Sequence, residues 1–480
     1  MCIKRKRGAG GTAIVALALL CMCSAAHADP EGRIQPYSEN PFYWQYKGEP
    51  VLLLGGSFQD NLFNHPTGPP DLFPPDGTLE SHLDLLVSVG GNYVRNTMSH
   101  RDQPDAPDAW HRLPEGQNVY PFVRLDNGRF DLDQPSPEYW ERFENFLRMT
   151  RERDIIVQVE VWAFHDFFRD DWPEYNPWNP ENNVNYTTED TMLQADYGGS
   201  MERILGDEIK HDFFFSVPAL NNDTVLLSYQ QQFVDRILEH SLDHPHVLYC
   251  ITNEIHPYFS KEWGFYWEGY LREKAEEAGR DIEIAEMYWD GDVFFNPERT
   301  EPFTYLEASQ NSGRWEYLME ARAAHSGEPK PMNNVKIYGG LEGFWRNLIG
   351  GCASMRFHRP HEPPATGLGL SQPVQASIRS ARMLTDRIDI FAAEPRNDLL
   401  SDAGTGAYCA AEPGRQYALY VPNGGSMELD MGDAEGEWTL TWLDISESEW
   451  SEEETVDGGD HIEITAPNEG QWAAAILPAN

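Results

Sequence analysis

A carboxylate ends one of the apolar segments of this chain. The run from Val247 to Ile251 is short and apolar, and Thr252, Asn253 and Glu254 follow it. Such a run predicts a buried strand, and a carboxyl group at its end would lie at the mouth of a barrel rather than in its core. There it could transfer a proton as a general acid. The alternative is that Glu254 only caps the turn or helix that follows.

The strand that carries Glu254 is the fourth of eight strand-like runs, which alternate with helical stretches. This alternation is typical of repeated βα units around a parallel sheet. The predicted strands are Pro50 to Gly55, Asn92 to Asn96, Ile155 to Trp162, Val247 to Glu254, Ile282 to Tyr288, Thr304 to Ser309, Met332 to Tyr338 and Cys352 to His358. Eight such units over about 310 residues predict an α/β fold of the (β/α)8, or TIM-barrel, type within residues 29–394.

Two further segments flank this predicted barrel. Residues 395–480 contain short strand-like runs separated by Gly, Asn and Pro, without a helical period, which predicts a small antiparallel β-sandwich. Residues 1–28 begin with basic residues, continue with an apolar stretch and end at a small-residue site, which is the order of a secretory signal peptide. We therefore expect a secreted or periplasmic protein. A lipoprotein anchored through Cys21 or Cys23 is the less favoured alternative.

The charge of the chain restricts its partners. The formal net charge is −42, so nucleic acid and anionic membranes would be repelled. Once the signal is removed, we expect no segment long and apolar enough to cross a membrane. The remaining cysteines, Cys250, Cys352 and Cys409, have a spacing that predicts neither a metal site nor a disulfide framework. We expect no cofactor, and the sequence carries no signal for an oligomeric state.

In a (β/α)8 barrel, the site forms where the carboxyl ends of the strands meet. The predicted strands end in polar, charged and aromatic residues. This mixture suits a carbohydrate, because sugars have apolar ring faces that stack on aromatic rings and hydroxyls that need donors and acceptors. The candidate substrate-binding residues are Arg95, Glu160, Trp162, Asn253, Glu286, Trp289, Lys336, Tyr338, Arg356 and His358. The same set would serve a protein that binds glycans without cleaving them.

Cleavage of a glycosidic bond needs two carboxyl groups, one protonated as general acid and one ionised as nucleophile or base. Glu254 is the predicted acid, and Asn253 would bind a sugar hydroxyl beside it. The candidates for the second carboxyl group are Glu307, at the end of the sixth strand, and then Glu160, Glu286 and Glu342. Each of these could instead be a rim carboxylate that pairs with a nearby Arg or Lys.

Several motifs resemble one family. The Asn253-Glu254 pair is similar to the clan of retaining glycoside hydrolases that carry Asn-Glu on the fourth strand. The opening PVLLLG at residues 50–55 and GNYVR at 91–95 look like the secreted apiosidase-like barrels that act on plant or algal polysaccharides. Residues 417–420 and 438–442 resemble the collagen-binding-type β-domain that accompanies them. The resemblance implies an exported glycosidase with a carbohydrate substrate.

The seventh strand departs from this family. The resemblance implies a nucleophilic Glu at its end, but residues 332–338 read MNNVKIY, with Val335 or Lys336 at the expected position. A lysine in the mouth would favour an anionic sugar, such as a uronate or a sulfated unit, with Arg356 and His358 adding positive charge. Alternatively, these cations pair with nearby Asp and Glu.

Two other functions stay open because of this departure. The chain could be a non-catalytic glycan-binding barrel that has lost the seventh-strand nucleophile. It could also be a polysaccharide lyase in which Lys336, His358 or a Tyr abstracts the proton next to a uronate carboxylate. Hydrolysis is the leading prediction.

Overall fold

The computed structural model of the chain describes residues 32–57, 60–63, 78–98, 119–167, 171–197, 210–256, 259–289, 296–308, 314–337, 340–358, 370–402, 404–432 and 434–479. Within these ranges, the helices lack the length and apolar character that crossing a membrane requires. Cys250, Cys352 and Cys409 are buried free thiols.

Short strands and longer helices alternate through the first part of the molecule. The strands are β1 (Gln35–Pro36), β2 (Trp44–Tyr46), β3 (Glu49–Val51), β4 (Leu53–Ser57), β5 (Tyr93–Thr97), β6 (Phe122–Arg124), β7 (Phe130–Pro135), β8 (Ile156–Ala163), β9 (Val247–Asn253), β10 (Ile284–Ala285), β11 (Leu306–Glu307), β12 (Met332–Asn334) and β13 (Ser354–His358). The helices are α1 (Leu79–Ser88), α2 (Pro137–Arg151), α3 (Asp171–Glu174), α4 (Thr224–Ser241), α5 (Lys261–Glu277), α6 (Pro297–Thr300), α7 (Trp315–Ala324), α8 (Gly340–Ile349) and α9 (Gln372–Thr385).

Eight parallel strands close into the predicted barrel. Their order in the sheet is β10-β9-β8-β5-β4-β13-β12-β11, so each strand lies beside its neighbours in the βα series. The two ends of this sheet meet where the backbone N–H of Thr304 donates to the carbonyl of Ile284 over 2.9 Å, and where Met287 and Glu307 form a parallel bridge. The predicted (β/α)8 fold is therefore confirmed.

Local sequence explains how the helices begin and which face they bury. Pro137 stands in the first turn of α2, where a missing N–H costs no hydrogen bond. Phe143 and Leu147 follow four residues apart and are buried, and α2 packs on β8. At the start of α4, the Asp223 side chain accepts from the backbone N–H of Leu226 over 3.1 Å. Capped helices with one apolar face thus enclose the strands.

A three-stranded antiparallel sheet, β1 to β3, covers the amino-terminal end of the barrel, which we call the floor. Trp44 on β2 is fully buried, and its Nε1 donates to Oδ1 of Asn333 over 2.7 Å. Its ring lies 5.4 Å from that of Tyr305. Above it, the Tyr93 hydroxyl donates to Oε1 of Gln158 over 2.6 Å. Neutral side chains therefore fill the inside of the floor, and an ion pair between Arg33 and Glu283 lies beside β1.

The last part of the chain forms two antiparallel sheets. Its strands are β14 (Glu394–Pro395), β15 (Leu400–Asp402), β16 (Tyr408–Glu412), β17 (Gln416–Val421), β18 (Ser426–Asp430), β19 (Glu437–Asp444), β20 (Glu449–Trp450), β21 (Glu454–Asp457), β22 (His461–Thr465) and β23 (Trp472–Pro478). The larger sheet has the order β14-β16-β17-β23-β19-β20, with β21 also on β19, and the smaller has the order β15-β18-β22. The predicted β-sandwich is confirmed, and the expected boundary at residue 395 falls within β14.

The larger sheet is buried on both faces, because its apolar side chains alternate between two cores. Leu419 and Trp442 belong to the core shared with the smaller sheet. Tyr420 and Ala475 belong to the core of the barrel. The Tyr420 ring stacks on Trp345 of α8 at a centroid distance of 5.7 Å. The second part of the chain therefore packs directly on the barrel helices.

Candidate active site

Glu254 follows the last residue of β9, at the carboxyl end of the barrel, which we call the mouth. Its φ is +60°, in the left-handed region that residues with a Cβ avoid, and its side chain is buried. Such backbone strain is frequent at ligand-binding and catalytic positions. The Glu254 carboxylate contacts Nε2 of His165 through Oε2 and Nζ of Lys336 through Oε1, each over 2.8 Å.

Lys336 is one of the two residues, with Val335, at the position where the family resemblance implies a nucleophilic Glu. It follows β12, the seventh strand of the barrel, and only 3% of it is exposed. Its Nζ also donates to Oδ1 of Asn253 over 3.4 Å. The seventh strand therefore presents a cation directly to the predicted acid.

This contact determines the charge of both groups. Burial alone would raise the pKa of Glu254, but the attraction of Lys336 and the hydrogen bond from His165 hold the pKa of Glu254 below its ordinary value. Burial lowers the pKa of Lys336 to about 8, against the attraction of Glu254. At neutral pH, Glu254 is therefore ionised and Lys336 is protonated. This environment disfavours the proton-donor role that the sequence predicts for Glu254.

A second set of charges holds Asn253 in place. Nδ2 of Asn253 donates to Oε2 of Glu160 over 2.6 Å, which turns Oδ1 of the same amide towards Lys336. Arg95 donates to the same Glu160 oxygen over 2.8 Å and pairs with Asp60, while the Thr97 hydroxyl also bonds to Glu160. Glu160 is fully buried, so it acts through Asn253 and does not face the mouth. The structure therefore contains the ion pair with an arginine that the sequence left open as the alternative for Glu160.

Arg356 is also engaged by the protein. Its guanidinium is fully buried and donates over 2.8 Å to the carbonyl of Val335 and over 2.8 Å to the carbonyl of Ser57. It thus joins the ends of β4 and β12 across β13. A cation in this position stabilises the rim and has little surface left for a ligand.

Glu307, the leading candidate for the second carboxyl group, lies inside the barrel. It is paired in register with Asn333 and its Oε1 accepts from the backbone N–H of Val335 over 2.9 Å. Burial raises the pKa of Glu307 to about 8, and the nearby charge of Glu160 adds to this effect. Glu307 is therefore protonated at neutral pH, which is the opposite state to that of Glu254.

Glu286 and Trp162 face the helices and not the mouth. Oε1 of Glu286 accepts from the backbone N–H of Thr252 over 2.8 Å, and burial raises the pKa of Glu286 well above its ordinary value. The Trp162 ring lies 5.3 Å from Phe233 of α4 and 5.4 Å from Trp267 of α5. These positions separate both residues from Glu254, so they do not join the predicted substrate site.

An interruption in the strand pairing accompanies the outward direction of Trp162. Alternation along β8 would place Gln158, Glu160 and Trp162 on the same side of the sheet. The ladder between β8 and β9 pairs Glu160 with Cys250 and then Trp162 with Thr252, without a pair between them. The sequence carries no turn residue or glycine that would announce this change.

The remaining predicted residues lie at the rim or beyond it. Trp289 is half-buried, with its ring centroid 5.4 Å from that of His165. His358 is half-buried at the end of β13. Tyr338 lies outside the described residues. His165 was not among the predicted site residues, although its position just beyond the third strand was the available signal.

The groups at the mouth have the chemistry of proton transfer. In the part of the chain that the structure describes, no group of three or more His, Cys, Asp or Glu side chains could hold a metal ion. The cluster around the mouth combines one ionised carboxylate, two nitrogen-bearing side chains that contact it and a half-buried aromatic ring. Such a set can activate water and protonate an oxygen.

Comparison with known proteins identifies solved structures that share the fold. No family model and no curated protein matches the chain. A solved structure described as a glycoside hydrolase superimposes with a TM-score of 0.59 at 10% sequence identity, covering 94% of this chain and 97% of the other. The crystal structure of a glycoside hydrolase family 5 protein from Bacteroides vulgatus gives a TM-score of 0.60 at 11% identity, covering 93% and 94%. The chain has the fold of these two proteins over nearly its whole length.

Proposed function

We propose that this protein is a glycoside hydrolase and that Glu254 is its reacting carboxylate. The observation that carries the proposal is the ionised, buried carboxylate of Glu254 at the carboxyl end of the fourth strand, held between Lys336 and His165. Active sites of (β/α)8 enzymes form at this end of the barrel. The two structural neighbours, which are described as glycoside hydrolases, support the same class of reaction.

The charges around Glu254 favour the role of general base or nucleophile over that of acid. An ionised carboxylate can take a proton from water or attack the anomeric carbon directly. Lys336 is protonated at neutral pH and carries its N–H groups at the same carboxylate, so it can supply the proton that the leaving oxygen needs. Trp289, half-buried beside His165, offers an aromatic edge for the sugar ring.

The substrate that we propose is a neutral plant or algal glycan. The plant or algal source rests on the resemblance to apiosidase-like proteins, and export rests on the predicted signal peptide, which lies outside the described residues. The argument for anionic sugars needed cations that are free to bind them. Arg95 pairs with Asp60 and Glu160, Lys336 pairs with Glu254, and Arg356 donates to backbone carbonyls. Because these three cations already have partners in the protein, a neutral sugar is favoured.

A second candidate is glycan binding without cleavage. It is favoured by Lys336, which lies on the strand where the resemblance implies a nucleophilic Glu and whose positive charge compensates that of Glu254. In that case the barrel would retain the polar rim and the Trp289 ring but would have no pair of carboxyl groups across the bond.

The product formed from polysaccharides tests the proposal. Purified protein is incubated with xylan, β-mannan, laminarin, alginate and polygalacturonate. New reducing ends without ultraviolet absorbance indicate hydrolysis, unsaturated ends that absorb in the ultraviolet indicate elimination, and binding without products indicates the second candidate.

The variant Glu254→Gln should lower hydrolysis about 10³-fold, because the amide keeps the shape of the side chain but cannot act as a base. Glu277→Gln, at an exposed ion pair on α5, is the matched control and should leave the rate unchanged. Equal rates for wild type and Glu254→Gln would contradict the assignment.

A further inference from the structure

A second cleft lies between the barrel and the larger carboxyl-terminal sheet, away from Glu254. Its volume is about 500 Å³, which is within the range of small-molecule sites. One wall is formed by the first turns of α8 and α9, including Leu341 and Gln372, and the other by residues 444–446 and 468–472. Since α8 and α9 follow β12 and β13, their first turns lie at the same end of the barrel as the mouth.

The side chains in this cleft suit a neutral polyhydroxylated ligand. Gln372, Asn468 and Gln471 carry amides, which both donate and accept hydrogen bonds, and the half-buried Leu341 adds apolar surface together with the small exposed part of Trp472. The ionisable side chains among the described lining residues are Asp444 and Glu469, both acidic. An anionic polymer would be repelled here, whereas hydroxyl groups would find acceptors and donors.

The two walls are fixed with respect to each other. The Ser380 hydroxyl on α9 donates to the carbonyl of Ile445 over 3.1 Å, and the Ser448 hydroxyl donates to the carbonyl of Ala376 over 3.2 Å. Ile445 itself lines the cleft. A ligand would therefore meet a preformed site and would not have to order the two walls on binding, which lowers the free-energy cost of association.

We propose that this cleft is an ancillary binding site for a neutral glycan chain. Its ligand class rests on the proposed function, because the polymer that enters the mouth is the one that the cleft would hold. Two sites on one rigid body bind a polymer more tightly than either site alone, because the second contact becomes intramolecular. The cleft thus holds the polymer near the mouth without taking part in its cleavage.

Binding of polymer to the full chain tests this site independently of turnover. Affinity for xylan, β-mannan and laminarin is measured by affinity electrophoresis in the Glu254→Gln background, which keeps the polymers intact. The double variant Gln372→Ala/Gln471→Ala removes two amides, and Asn468→Trp fills the cleft from an exposed loop position. Each should weaken binding to at least one neutral polymer about tenfold. Unfolding midpoints of the variants verify that the fold is kept.

The control is the double variant Glu428→Gln/Glu463→Gln, a cross-strand pair of exposed residues on the smaller sheet, which should bind like its parent. Equal affinity of parent and cleft variants for all neutral polymers, or binding of alginate and polygalacturonate alone, would overturn the proposal. Hydrolysis of short oligosaccharides, measured with Glu254 intact, should be the same in wild type and cleft variants. If no polymer is hydrolysed but the cleft variants still bind more weakly, the cleft stands and the proposed function fails.

Discussion

The two ends of the barrel are closed by different kinds of contact. Inside the floor, Trp44 donates to Asn333 and Tyr93 donates to Gln158, so these contacts are hydrogen bonds between neutral groups, and the ion pair of Arg33 with Glu283 lies beside β1. At the mouth, Lys336 and Glu254 form a buried ion pair. A neutral hydrogen bond contributes about 1 kcal/mol to stability, whereas a buried ion pair must first offset the removal of two charges from water.

This difference separates stability from function along the barrel axis. The floor gains from each contact that it makes. The mouth holds charges at positions where apolar side chains of similar volume would often be equally stable. Charges kept at the end of a barrel where ligands bind are better explained by chemistry than by stability.

Trp44→Ala should have the largest effect on stability and little effect on activity. Removing the indole leaves a cavity and an unsatisfied Asn333 oxygen, so the free energy of unfolding should fall by about 5 kcal/mol. Chemical denaturation gives the stability, and hydrolysis is assayed at a temperature where the variant stays folded. Trp44→Phe, which keeps most of the volume, is the control and should lose about 2 kcal/mol. A specific loss of turnover in either variant would remove the distinction between floor and mouth.

Lys336→Met should reduce both stability and turnover. The change leaves the Glu254 carboxylate buried without its cation, which costs about 4 kcal/mol at neutral pH. The pKa of Glu254 should rise, because burial still acts while the attraction of Lys336 is lost. In wild type, the lowered pKa of Glu254 stabilises the fold at pH values above the ordinary carboxyl pKa, and this gain is lost as the pH falls. The difference in stability between wild type and Lys336→Met should therefore shrink in acid.

The pH profile of turnover checks this pair directly. In wild type, turnover should fall as pH rises through about 8, where Lys336 loses its proton. Lys336→Met should lack this basic limb and hydrolyse at least 100-fold more slowly at neutral pH. Lys336→Arg is the control for the charge alone. An unaltered basic limb in Lys336→Met would assign the limb to another group.

Glu307→Gln should have the smallest effect, and it should depend on pH. The pKa of Glu307 in the folded protein is about 8, above the ordinary pKa of a glutamate. The contribution of Glu307 to stability is therefore complete at pH values below that ordinary pKa and is lost as pH rises towards 8. Glutamine does not titrate. Between pH 5 and pH 8 the variant should therefore gain on the order of 3 kcal/mol relative to wild type. Denaturation curves at both pH values measure this gain. A stability difference that does not change with pH would contradict the raised pKa of Glu307.

Much of the fold follows from local patterns in the sequence. The eight barrel strands were predicted because each is a short apolar run between helical stretches, and Glu254 was singled out because it ends such a run. The strand β16, Tyr408–Glu412, has no such pattern, because it reads YCAAE and lacks β-branched residues. The strands β10 and β11 are shorter than their apolar runs suggest, since the pairing is irregular where the barrel closes.

The site was less predictable, because its contacts join residues far apart in the chain. Lys336 and Glu254 are 82 positions apart, and no local pattern reports that their side chains meet. The direction of Trp162 depends on an interruption of strand pairing. The electrostatic state of Glu254 depends on two partners, His165 and Lys336, that only the closed barrel brings together. The sequence therefore singled out Glu254 as a candidate but could not predict its charge.

The larger carboxyl-terminal sheet leaves neither of its faces to water, since Tyr420 and Ala475 pack on the barrel and Leu419 and Trp442 pack on the smaller sheet. A chain that stopped before residue 395 would expose the outer sides of α8 and α9, and the released sheet would expose the face that had covered them. This part of the protein is therefore not a detachable module on a linker. Transferring it to another enzyme, or deleting it from this one, would amount to cutting a single core in two.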